Sequence, residues 1–319
     1  MNCKCVFIYF LTFFLYTPVV FAKENRVYLA ASFPCANADK PIEKRICESS
    51  QTSTYDAVLG YLYKKIREAL PEGEKAILKS EQKNWIKQER QKAFDEYRSF
   101  GKGESDVWDT LDVAYKDRIL KFFDTYKAQC EKFLTEGIGR YKTEAEIPPL
   151  LKYSFLYYLY SLEKIPEIKK CKDDPQGCYG THGASHIFCI TNEEKLMPLA
   201  SGKWIALVRN NELWNAGPCD GHCRFYLIDP VSFKITSLLI ENNLGFSGKT
   251  YDKSSNQKLK TTDFIQAFFI AFNDEELLLG SGGGCDSERK PTGSHTYKLS
   301  SDETTMVLQK SWPVIDGER

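Results

Sequence analysis

The stretch "STYDAVLGYLYKKIREAL", residues 53–70, carries Tyr55, Leu59, Leu62, Ile66 and Leu70 at three- and four-residue steps. That spacing puts all five side chains on one face of an α-helix. Ser53 or Thr54 can cap its start, and Pro71 and Gly73 break the pattern beyond it. Downstream, a second helix is predicted from about Glu74 to Tyr97, on Leu78, Trp85, Ile86, Ala93, Phe94 and Tyr97, closed by Gly101 and Gly103. A third begins near Ser105 or Asp106 and runs through Trp108, Leu111, Tyr115, Ile119, Phe122 and Tyr126, as far as Glu136, with Gly137 and Gly139 to stop it. Three such helices make a small bundle, in which Trp85 and Trp108 read as core side chains.

Upstream lies "SFPCANADKPIEKRIC", residues 32–47, and before it a leader. Lys4 gives a short positive region, Cys5 to Ala22 is uncharged, and Val20-Phe21-Ala22 ends in a small residue just before Lys23-Glu24. Residues 1–22 therefore read as a secretory signal peptide, with no transmembrane span left after cleavage and a periplasmic or secreted location. Cleavage leaves nine of eleven cysteines, an odd number, and in an oxidising compartment these default to disulfides. A Cys35–Cys47 bridge would close a loop of 13 residues and contribute about 3 kcal/mol, stapling a ragged N-terminal arm. Lys plus Arg and Asp plus Glu number 43 each, a net charge of zero that argues against nucleic acid as a partner. No N-x-S/T sequon occurs, which favours a bacterial export route.

Four segments in order, "SFPCANADKPIEKRIC", "STYDAVLGYLYKKI", "LKSEQKNWIKQER" and "LDVAYKDRILKF", resemble the LprI-type lysozyme-inhibitor N-terminal domain of exported bacterial proteins. The matching positions are Ser32, Phe33, Cys35, Pro41, Glu43, Ile46 and Cys47 in the arm, then Asp56, Tyr63, Leu78, Gln82 and Trp85. Leu111, Ala114, Tyr115, Arg118 and Ile119 complete the pattern. The resemblance covers about residues 32–125 and implies a helical fold that binds and inhibits lysozyme. It also implies a second cysteine pair, at places occupied here by Lys92 and Thr110.

A cationic partner such as lysozyme would meet no global field, because residues 32–136 hold 19 acids and 19 bases. Locally, Glu104, Asp106, Asp109 and Asp112 form a run with no base between Lys102 and Lys116. These four are the candidate partner-binding residues; acids in a helix's first turn also complement its dipole.

Residues 137–170 read as a linker and connecting segment, of which "LLKYSFLYYLYSLEKI" fits either a helix or a buried strand. From residue 171 to 319 short β-type runs alternate with turn signals: "SHIFCI", "KWIALVR", "CRFYLID", "KITSLLIE", "DFIQAFFIAF", "ELLLG", "HTYKL" and "TTMVLQKSW". The fold class is α+β with two domains. A disulfide-stapled three-helix bundle over 31–136 precedes a mainly antiparallel, cysteine-rich β domain, a sandwich, a barrel or a propeller-like sheet.

Cys178, His182, His186 and Cys189, or Cys219, His222 and Cys223, have tolerable zinc spacings, but oxidation competes with thiolate ligation in an exported chain, so disulfides are favoured over metal. "GFSGK" at 245–249 lacks the second glycine of a nucleophile elbow, and "GSGGGCD" at 280–286 lacks the Lys-Ser/Thr of a phosphate loop. The expectation is a non-catalytic binding protein without cofactor, whose partner is lysozyme or another cell-envelope hydrolase. The alternative is a metal-binding or catalytic β domain with the helical module as an accessory.

Overall fold

A computed structural model describes residues 28–99, 110–173, 195–210, 222–242, 251–252, 260–262, 265–266, 269–273, 276–282 and 291–313. The N-terminal arm, read from sequence as ragged, contains a short helix, α1 (Pro41–Glu48). Pro41 occupies its first turn, where a missing N–H costs nothing, and the Glu43 carboxylate accepts from the Lys40 N–H. The expected Cys35–Cys47 disulfide is formed, with the Cα atoms 5.8 Å apart.

Helix α2 (Ser50–Ala69) realises the stripe of residues 53–70: Tyr55, Leu59, Leu62 and Ile66 are all buried. Its cap is Ser49, whose hydroxyl accepts from the Thr52 N–H. The second and third expected helices are each divided in two. The former becomes α3 (Glu72–Lys87) and α4 (Glu89–Ser99), separated at Gln88 (φ −107°, ψ −67°). The latter becomes α5 (Thr110–Thr125) and α6 (Lys127–Ile138), separated at Tyr126 (φ −117°, ψ 37°). Neither break holds a glycine or proline, so neither is marked by local sequence. Trp85 is buried there, 2% exposed, edge-on to Tyr115 with ring centroids 5.2 Å apart. Trp108 lies outside the described residues.

The ambiguous apolar run is helical: α7 spans Pro149–Asp173. Phe155, Leu156, Tyr157, Tyr158, Leu159 and Tyr160 are all buried, so this stretch of α7 has no polar face. A helix apolar all round must be enclosed. Helix α7 is: it packs against α2, α5 and α6 on one side and the sheet on the other.

Among the described residues the sheet has eleven strands: β1 (Lys195–Pro198), β2 (Trp204–Asn210), β3 (His222–Asp229), β4 (Lys234–Asn242), β5 (Tyr251–Asp252), β6 (Lys260–Thr262), β7 (Ile265–Gln266), β8 (Phe269–Asn273), β9 (Glu276–Gly282), β10 (Pro291–Leu299) and β11 (Thr305–Pro313). The order β1-β2-β3-β4-β11-β10-β9-β8 joins two antiparallel meanders through one parallel pair, β4 with β11, as a curled half-barrel. The mainly antiparallel reading therefore holds, while "SHIFCI" lies outside the described residues.

Strand β2 explains why "KWIALVR" reads as an unbroken apolar run. Trp204, Ala206 and Val208 belong to the core shared with the helices, and Ile205 and Leu207 to the core inside the half-barrel. Both faces are buried, so alternation disappears. In β3 Tyr226 and Ile228 face the helices while Phe225 and Leu227 face inward. The β3–β4 connection turns on Asp229, whose carboxylate accepts from the Val231 and Ser232 N–H groups, with Phe233 in the left-handed region (φ 55°). This turn rests on the end of α6. A Cβ at Gly139 would lie 2.3 Å from Pro230, so only glycine permits the approach.

Candidate functional site

Several residues of the LprI-like pattern meet inside the helical region. Asp56, on α2, is 7% exposed. One of its oxygens accepts from the Ser32 N–H (2.7 Å) and the Ser32 hydroxyl (2.6 Å); the other accepts from the Tyr115 phenol on α5 (2.7 Å). The arm can lie this close because position 60 is glycine: a Cβ there would meet Ser32 Cβ at 2.8 Å. Arg90, on α4, donates to the Tyr115 oxygen at 3.4 Å. Burial, then the Asp56 charge, pushes the Tyr115 phenol far above its ordinary range. Arg118 is buried, donates to Gln82 (3.1 Å), lies 3.8 Å from Glu81 and stacks its guanidinium 4.6 Å from the centre of the Phe122 ring.

These groups face one another and not solvent. Asp56 spends its lone pairs on three donors, so it holds arm, α2 and α5 together and offers no free base to a substrate. At the places where the resemblance implies a second disulfide, the Thr110 hydroxyl instead donates to the Ala93 carbonyl (2.6 Å), beside Lys92. A hydrogen bond ties α4 to the start of α5 there.

Of the four acids singled out as partner-binding, Glu104, Asp106 and Asp109 lie outside the described residues. Asp112 is 8% exposed and accepts from the Thr52 hydroxyl at 2.6 Å, so it pins α5 to α2 from within. Of the metal-ligand candidates, Cys178, His182, His186, Cys189 and Cys219 lie outside the described residues; His222 and Cys223 begin β3, opposite Gln266 and Ile265 of β7. Among the described residues no three His, Cys, Asp or Glu gather as a metal site. Cys130 is fully buried, and burial pushes its thiol up to about 12, which makes it inert at neutral pH. His295, on β10, is 1% exposed, and burial pulls its imidazole down to about 4.

One surface feature has no signature in the sequence. An open groove of about 480 Å³ lies where the last turns of α2 meet the end of α6, the following loop and the start of α7. Phe133, Pro148, Leu150 and Leu151 form apolar walls, and Tyr61 packs edge-on to Phe133 with centroids 6.2 Å apart. Ion pairs stand at its rim: Lys65 with Glu68 (3.1 Å) and Arg140 with Glu136 (2.6 Å). Burial raises the Tyr61 phenol above its ordinary value, with neighbouring Tyr141 adding to the rise. The contributing residues span positions 61 to 151, too dispersed for a local motif to announce them.

Residues 35–135 match the family model of lysozyme inhibitor LprI. The LprI match thus takes in both bridged cysteines, the whole of α1 to α5 and all but the last turn of α6. The C-terminal part of the chain has no family match beside it. No curated protein and no solved structure matches the chain. Among the described residues no helix is long and apolar enough to cross a membrane.

Proposed function

We propose that this chain is an exported bacterial binding protein whose LprI-like region engages a lysozyme, or another hydrolase of the cell envelope, and inhibits it by surface complementarity without chemistry of its own. The observation that carries the reading is the LprI match over residues 35–135, with the pattern residues Ser32, Asp56 and Tyr115 sharing one set of hydrogen bonds and Gln82 and Arg118 another. Export rests on the leader of residues 1–22 and on the Cys35–Cys47 bridge, which needs an oxidising compartment to persist. The partner-binding surface is assigned to the acidic segment Glu104, Asp106 and Asp109. Asp112, held by Thr52, anchors the helix that follows it. A run of carboxylates without an intervening base suits a cationic partner, and its contribution begins with the association rate.

The test is lysis of cell walls by lysozyme in the presence of purified residues 23–319. Inhibition at tens of micromolar supports the reading. Replacing Glu104, Asp106 and Asp109 with glutamine or asparagine should weaken it at least tenfold, with the loss largest at low salt, where screening is least. Unchanged lysis at that concentration would remove inhibition as the function.

A further inference from the structure

The groove at the end of α2 is built where the LprI-matched stretch meets the rest of the chain. Tyr61 and Phe133 come from inside that stretch; Arg140, Tyr141 and Leu151 come from beyond it. It is therefore a property of this chain and not of the matched region alone. Its volume, about 480 Å³, falls within the ~300–1,000 Å³ of small-molecule sites.

The chemistry of the walls narrows the occupant. Each rim ion pair is neutral as a unit, with cation and anion within hydrogen-bonding distance. A charged ligand gains no net field from such a rim. A wholly apolar ligand would take water from four charged heads and offer them nothing in return, which costs free energy. What satisfies both constraints is a neutral ring with an apolar C–H face and a polar edge. Its face packs on the rings of Tyr61, Phe133 and Tyr141, and its hydroxyls join the Glu136 carboxylate and the Arg140 guanidinium in charge-assisted hydrogen bonds. We propose that this groove binds a short neutral saccharide.

The inference stands apart from lysozyme inhibition, because the groove and the acidic segment share no residue. The experiment is calorimetric titration of residues 23–319 with tri-N-acetylchitotriose, paired with co-sedimentation on purified cell-wall glycan. The two arms separate a soluble oligosaccharide from a glycan strand of the wall. Binding is expected with Kd of order 0.1–1 mM, as suits a small open site.

Arg140 is well exposed, so Arg140→Ala leaves folding intact and should weaken binding at least tenfold. Tyr141→Ala, checked for folding by circular dichroism, should abolish it. Lys79→Ala, exposed on α3 and not among the groove residues, should change nothing. Retention on wall glycan without affinity for the trisaccharide overturns a short neutral saccharide as the occupant. Absence of both, with the trisaccharide raised to about 10 mM, overturns the proposal. So does wild-type affinity in both Arg140→Ala and Tyr141→Ala.

Discussion

In the helical region Asp56, Asp112, Lys116 and Arg118 are buried together with several serines and threonines; in the sheet, among the described residues, the corresponding list is His295 alone. Lys116 lies with its ammonium 5.2 Å from the centre of the Tyr55 ring, and Asp56 gathers three donors. The half-barrel is filled instead by Met197, Ile205, Leu207, Phe225, Leu238 and their neighbours. Two interiors of one chain are thus specified in different ways. A buried carboxylate demands its own donors at fixed distances, so its neighbours are constrained one by one. Aliphatic side chains demand only volume and tolerate exchange. The polar interior, with its ordered and spaced partners, lies in the part of the chain with an LprI match.

The two interiors nevertheless meet, and the largest expected effect comes from breaking their junction. Trp204 is 2% exposed and sits in the core shared by β2 and the helices. Trp204→Ala should cost about 3–5 kcal/mol, read as a lowered urea midpoint. Helical circular dichroism and near-ultraviolet signals should fall together; separate transitions would show that the two regions unfold independently.

Next is the sheet's one described buried imidazole. Unfolded, His295 titrates near its ordinary 6.5; folded, burial holds it at about 4. The unfolded chain therefore binds the extra proton between these values. Stability from this group is complete above pH 6.5 and is lost as pH falls through about 4, by about 3 kcal/mol at most. Carboxylates titrate in the same window, so the measurement is the difference between wild type and His295→Gln. The wild-type slope should be the steeper.

The direct contrast is between two near-isosteric changes. Asp56→Asn puts an amide N–H against either the Ser32 donors or the Tyr115 phenol and removes the charge, and should cost about 2–3 kcal/mol. Leu207→Met, fully buried in the half-barrel, should cost less than about 1.5 kcal/mol. Equal losses in thermal denaturation would dissolve the distinction between the two interiors.

Much of the helical region is legible in the sequence. The stripe at 55, 59, 62 and 66 marks one buried face, and the pairing of Cys35 with Cys47 is as expected. The breaks at Gln88 and Tyr126 are not legible, because no local breaker marks them. The sheet's strands are legible from β-type runs between turn residues. The parallel pairing of Thr305 and Met306 with Leu239 and Ile240 is not, since those partners lie more than sixty positions apart. The groove is hidden for the same reason, its walls being drawn from α2, α6, α7 and a segment that reads as linker.

Sequence alone determined what is periodic or chemically singular: an amphipathic helix, a cysteine pair, an ordered set of residues with an LprI pattern. These are local, because a helix face or a short covalent loop depends on residues a few positions apart. Tertiary structure decided that α7 would be enclosed between helices and sheet, that Asp56 would join Ser32 to Tyr115, and that Gly139 would admit Pro230. Each is settled by which surfaces exclude water from one another, and that depends on the whole packed chain rather than on any stretch of it.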